Sequence, residues 1–166
     1  YGMIRFLIPL FPHATAQATT AAMTLAVVGI LYAAVVSFGQ TDLKRLIAYT
    51  SVSHMGFVLL GVFSWNELAL QGTMVVILAH GVSTAGLFVL AGMVHERTGT
   101  YDLAEFGGLA RNVPALGGMG MVLAMASLGL PGLANFVGEF LVLLGAWRVS
   151  PTFAILAAGG LILSVV

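Results

Sequence analysis

Residues Ser127 to Phe140 read SLGLPGLANFVGEF. The stretch lies in the most apolar part of an apolar chain. Even so, it sets Pro131 between Gly129 and Gly132 and then places a carboxylate, Glu139, among phenylalanine, valine and leucine. Proline removes a backbone donor and clashes with the preceding turn, so a helix cannot pass Pro131 undisturbed. The surrounding apolar run, Val113 to Trp147, is about 35 residues; at about 1.5 Å each it would reach about 50 Å, against a hydrocarbon core of about 30 Å. Two full crossings would leave the second too short. The pattern predicts one broken crossing over about 113–148, with helix to about Leu130, irregular chain from Pro131 to Ala134, and helix again from Asn135. Irregular backbone at membrane depth persists only where protein or a water-filled cavity satisfies it. Discontinuous helices of this kind mark ion and substrate sites in transporters, so the break at Pro131 and Gly132 is expected to help build a polar site.

Composition supports the membrane setting. Of 166 residues, 60% are hydrophobic and 7% charged, against about 25% charged in soluble domains. Mean hydropathy is +1.06. One soluble core cannot hide so much apolar surface, so the lipid bilayer is the expected solvent. Formal net charge is zero and basic residues are scattered, which leaves no electrostatic footprint for nucleic acid. With no cysteine, the segment offers neither disulfides nor thiolate ligands for zinc or iron–sulfur clusters. The four histidines lie far apart and lack metal-ligand spacing, so no metal site is expected. The first and last residues fall inside apolar runs, which reads as one transmembrane-domain piece of a longer protein: the end of one helix, four spans and the start of another.

Charges and prolines cut the chain into six segments. Tyr1 to about Phe11 reads as a helix tail ended by Pro9 and Pro12. Thr20 to Phe38 is an uncharged span. Thr41 or Asp42 can cap a third segment running to about Phe63. Glu67 to about Val94 is the fourth, the broken Val113–Trp147 run the fifth, and Thr152 onward the sixth. The fold expected is an all-α, polytopic bundle with one discontinuous helix. Alternate loops share a side, and the side bearing Lys44, Arg45, Arg97 and Arg111 outweighs that bearing Arg148 and Arg5. The positive-inside rule then puts the Asp42 and Asp102 loops in the cytoplasm.

A few polar residues stand where hydrocarbon is expected. A charge at mid-helix costs about 2.5–3.5 kcal/mol on insertion scales, so Glu139 reads as functional. The plainer alternatives are a structural acid paired with a neighbouring lysine, or an acid near the interface. Asn135, four residues earlier on the same face, can cap the second half-helix. His80 lies mid-helix in ILAHGVSTAG, and at about 100° per residue Thr73, Ser83 and Thr84 fall within about 60° of it. These groups could equally serve as hydrogen-bonding glue between helices, but imidazole titrates in the range a proton relay needs. Ser51, His54 and Lys44 share a face of the third segment; Lys44 could also be a simple interface anchor. His13 and His95 read as residues of segment ends, His95 as a solvated loop residue. The glycines are expected to allow close helix packing. Lys44, His54, His80 and Glu139 therefore suggest a proton line, with hydroxyls and trapped water filling its gaps.

Three strings carry a resemblance: QTDLKRLIAYTSVSHMGFVLLG at 40–61, AHGVSTAGLFVLAGMVHERTGTYDL at 79–103 and GLPGLANFVGEF at 129–140. They resemble the antiporter-like membrane subunits of respiratory complex I, the NADH-quinone oxidoreductases, and among these the M-type (chain 4) members. The resemblance spans essentially the whole chain. It implies a fourteen-helix subunit of two inverted five-helix repeats, with this chain running from the eighth helix into the thirteenth. By position, Glu139 would match the glutamate of the discontinuous twelfth helix and His54 and His80 its central-axis histidines, while Lys44 belongs to the DLKR turn. The family's other essential acid and lysines would lie before Tyr1. The implied role is proton translocation as part of an oxidoreductase, with no redox chemistry here. NADH, FMN, iron–sulfur clusters and quinone would belong to partner subunits, and the whole would sit in a bacterial inner membrane. Alternatives are an Mrp-type cation/proton antiporter or membrane-bound hydrogenase subunit, a passive membrane scaffold, or a solute carrier.

Overall fold

The computed structural model describes residues 1–165. After a short π-helical turn at Met3–Leu7, the helices run in order as α1 (Ile8–Leu10), α2 (Pro12–Gln17), α3 (Thr19–Phe38), α4 (Leu43–Val62), α5 (Glu67–Thr98), α6 (Leu109–Asn112), α7 (Pro114–Ser127), α8 (Ala134–Val149) and α9 (Pro151–Val165). Among the described residues the only strand-like feature is one antiparallel bridge, Asp42 with Asp102. The sixth sequence segment is α9; Val166 lies outside the described residues. Helices α3, α4 and α5 are each long and apolar enough to cross a membrane.

The ends of these helices follow local chemistry. The Asp42 side chain accepts from the Arg45 amide and starts α4; Asn66 accepts from the Ala69 amide and starts α5. Pro9 does not end the first segment. It lies inside α1 after the wider π turn, and Pro12 opens α2 at its first turn, where a missing N–H costs nothing. Helix α5 continues four residues past Val94 because its stop signal is Gly99, left-handed at φ 74°, whose amide caps the His95 carbonyl. His95 is therefore a helical residue rather than a loop residue, and its ring stacks on Tyr101 with centroids 4.0 Å apart. The loops before α4 and after α5 lie side by side: the Leu43 amide donates to the Tyr101 carbonyl and the Leu103 amide to the Thr41 carbonyl. The alternate loops do share one face.

The predicted break is present, displaced by a few residues. Helix stops at Ser127 and resumes at Ala134, with Gly129 and Gly132 at φ 68° and 102°. The turn residues thus begin before Pro131, because the left-handed Gly129 has already ended α7.

Two seams of small residues hold the bundle. Along α5 and α8, a Cβ added to Gly72 would come within 2.7 Å of the Gly138 carbonyl oxygen, and one added to Gly138 within 2.8 Å of the Val76 amide. At Gly145 the added atom would meet the Ala69 amide at 2.6 Å. Backbone therefore lies on backbone, the packing that small residues permit in membranes. Gly56 of α4 makes a similar approach to the Ala26 carbonyl of α3, 2.9 Å from an added Cβ. Around these seams Met23, Ile30, Phe57, Leu60, Val142 and Ala157 form the buried core. The outer faces remain apolar, as at Leu25, Leu78 and Val82.

Candidate functional site

The α5–α8 seam fixes Glu139, since Gly138 beside it lies against the Gly72 carbonyl. The carboxylate ends in the centre of the bundle at 0% exposure. His54 reaches it from α4, with Nδ1 2.5 Å from Glu139 Oε1. The two groups are joined by a short, fully buried hydrogen bond. Among the described residues the partner of Glu139 is His54 and not a lysine.

His80 of α5 packs against His54, with ring centroids 5.1 Å apart and planes tilted by 45°. On its other side His80 Nε2 pairs with Ser51 Oγ at 2.8 Å, and Thr84 Oγ1 lies 3.1 and 3.2 Å from its two ring nitrogens. Ser51 and His54 are one helical turn apart and so face α5 together; the His80 ring lies between them. The order is Ser51, His80, His54, Glu139, which corrects the expected order by placing His54 next to the acid.

Asn135 does something other than predicted. Its side chain does not cap α8, whose N-cap is Leu133 without a side-chain bond. Instead Nδ2 donates to the Ala126 carbonyl at 2.7 Å and to Ser83 Oγ at 3.2 Å. It thus adds a second donor to a carbonyl at the end of α7 that also accepts from the Gly129 amide, and ties the break to the His80 helix. Ser83 Oγ in turn donates to the His80 carbonyl. A cleft of about 540 Å³ between α5, α7 and α8 reaches Ser83 and Asn135 and is otherwise apolar.

Two expected members stand apart. Lys44 is exposed near the start of α4, its Nζ 5.7 Å from the Tyr101 ring. Ten residues separate it from His54, about 15 Å along the axis, so the loop face claims it. Thr73 is buried, its hydroxyl donates to the Ala69 carbonyl, and it packs beside Gly61. Sequence reasoning missed Gly129, whose Cα faces the second oxygen of Glu139. Its only signal was the neighbouring proline.

A helical membrane bundle with a broken helix and a buried histidine–glutamate chain defines an antiporter-like transmembrane subunit. The family model described as NADH:quinone oxidoreductase/Mrp antiporter, TM, matches residues 1–165, and the chain belongs to that family. It is similar to NADH-quinone oxidoreductase subunit M of Pseudomonas aeruginosa, 52% identical over 98% of this chain and 32% of that protein. The corresponding subunit M of Escherichia coli K12 is 48% identical over the same shares. Among solved structures, respiratory complex I from Thermus thermophilus with bound NADH contains a chain matching at a TM-score of 0.93 and 45% identity, over 98% of this chain and 35% of that one. The chain thus spans about a third of the length of the relatives it matches.

Proposed function

We propose that this chain forms part of the proton path of an antiporter-like subunit M in NADH-quinone oxidoreductase, and that Ser51, His80, His54 and Glu139 carry the proton. The observation that bears most weight is the short hydrogen bond of His54 to a fully buried Glu139, continued by the His80 ring. A proton reaching His80 from the Ser51 and Thr84 hydroxyls can pass to His54. Imidazole accepts on one nitrogen and releases from the other, so the proton on Nδ1 moves to Glu139 Oε1 and leaves a neutral carboxyl. Loss of that proton from the carboxyl, and a turn of the His54 ring that brings its N–H back toward Glu139, reset the chain. The 5.1 Å between ring centroids is bridged by ring motion or by one water.

Helices α7 and α8 then form one interrupted crossing beside α3, α4 and α5, with the Asp42 and Asp102 loops on the cytoplasmic side. NADH oxidation, FMN, the iron–sulfur clusters and quinone reduction belong to other subunits, which are this chain's partners along with the bilayer, in a bacterial inner membrane. Lys44 serves as a loop-face anchor. The family description also covers Mrp antiporters, and cation-for-proton exchange is the second reading.

The test is Glu139→Gln in the assembled complex. Glutamine keeps the shape and can hydrogen-bond but cannot exchange a proton as a carboxyl does. Pumping in proteoliposomes, and the NADH–quinone turnover coupled to it, should fall while native gels show normal assembly; Glu139→Asp should be milder. Normal pumping by an assembled glutamine variant would remove Glu139 from the path.

A further inference from the structure

Glu139 has two carboxylate oxygens, and only one is engaged. Oε1 holds His54, whereas Oε2, equally buried, has no hydrogen-bond partner among the described residues. What lies against Oε2 is Gly129: a Cβ added there would sit 3.2 Å from Oε2 and 3.9 Å from Leu161 Cδ1 of α9. Gly129 is buried, while Leu128, Leu130, Pro131 and Gly132 around it are exposed. One layer of bare backbone therefore separates the carboxylate from the outer face of the break. His54 of α4 is the titratable group facing Glu139, with His80 of α5 behind it; the described parts of α7, the break and α9 carry none.

We propose that Oε2 is the proton-exchanging oxygen of Glu139 and that Gly129 is the positioning residue that holds its approach open to water. This rests on the reading of Glu139 as a proton carrier. The carboxyl O–H bond breaks at Oε2 and its proton joins a water molecule as hydronium. The electron pair stays on the carboxylate, the next proton arrives from His54 Nδ1 at the oxygen facing it, and a half-turn of the carboxyl about Cγ–Cδ brings that O–H to the Gly129 side for the next release. The two sides of the carboxyl thus have separate duties, loading and release, and the absent side chain of Gly129 makes the second possible.

A glycine at φ 68° could be present for backbone conformation alone. Gly99 separates the two roles: it has nearly the same φ, 74°, and nothing within 4 Å of an added Cβ. The experiment compares Gly129→Ala, Gly129→Asn and Gly99→Ala in the assembled complex. Asparagine tolerates the left-handed conformation, so Gly129→Asn obstructs with little strain, whereas Gly99→Ala strains without obstructing. The readouts are the rate at which the Glu139 carboxyl infrared band, identified by its loss in Glu139→Gln, shifts after mixing with D₂O, and the protons pumped per electron. Both Gly129 variants should slow exchange at least tenfold and lower the pumping ratio, while Gly99→Ala stays near wild type. Equal effects at positions 129 and 99, or failure of both Gly129 variants to assemble where Gly99→Ala does, overturn the proposal. If Glu139→Gln stops pumping but Gly129→Ala pumps normally, this inference alone falls. If Glu139→Gln pumps normally, the reading beneath it falls as well.

Discussion

Helices α7 and α8 are two pieces of one interrupted run, and both carry glycines among apolar residues. Yet α7 buries only Ser127, whereas α8 buries Asn135, Gly138, Glu139, Val142, Gly145 and Ala146. Gly118 of α7 has nothing within 4 Å of an added Cβ; Gly138 and Gly145 of α8 lie against the backbone of α5. Hydrophobicity does not separate the two halves, since lipid solvates an apolar face as well as protein does. What separates them is whether small residues on one helix meet small residues on another. The polar residues follow the same division: Asn135 and Glu139 lie on the half that is locked in place.

The largest effect should come from filling the seam. Gly72→Leu drives side-chain atoms into the Gly138 carbonyl and the Val142 amide. Overpacking costs about 1–3 kcal/mol where neighbours can yield, and backbone cannot yield cheaply. The complex should fail to assemble on native gels. Gly118→Leu, on α7, should assemble normally; if both variants behave alike, the contrast between the halves is wrong.

Next in size is His54→Ala. It leaves Glu139 buried without its partner, and removing one member of a buried ion pair costs about 3–5 kcal/mol. Thermal stability of the complex should drop and pumping should be lost. The double change His54→Ala with Glu139→Gln should recover stability without recovering pumping. Recovery of neither would mean that His54 matters for packing rather than for its pairing with the acid.

Asn135→Ala should be smaller. It removes one of two donors from the Ala126 carbonyl, which keeps the Gly129 amide, and a donor from Ser83, so the cost should be that of an ordinary hydrogen bond, about 0.5–1.5 kcal/mol. Hydrogen exchange should rise at the break and leave the α5–α8 seam unchanged; no change at the break would show that the link does not hold it. Lys44→Gln should do least, within about 0.5 kcal/mol as for ordinary surface changes, with pumping near wild type. A large loss of pumping would return Lys44 to the path.

Much of this was legible in the sequence, and the boundary is physical. Pro131 between two glycines announced the break, Asp42 the start of α4, and Glu139 its own burial. The shared face of Ser51 and His54 followed from helical phase. Partnership was not legible: phase tells which residues share a face, and nothing local tells that His54 meets an acid 85 residues away. Asn135 had the look of a cap for its own helix, and only the fold shows the Ala126 carbonyl within closer use. His95 was misjudged because its charged neighbours Glu96 and Arg97 were read as the end of the segment, whereas the helix continues until the left-handed Gly99 stops it. Gly129 carried no signal beyond its proline neighbour, since its contact with Glu139 depends on how α8 returns past the break.

The central claim is that the Glu139 carboxyl takes up and gives off a proton during turnover. The most direct measurement is infrared difference spectroscopy of the assembled complex, resting against NADH-driven, with Glu139→Gln as reference. The account predicts a carboxyl band that changes with turnover, shifts in D₂O and vanishes in the glutamine variant. A complex that pumps normally while no band assignable to Glu139 changes would contradict it.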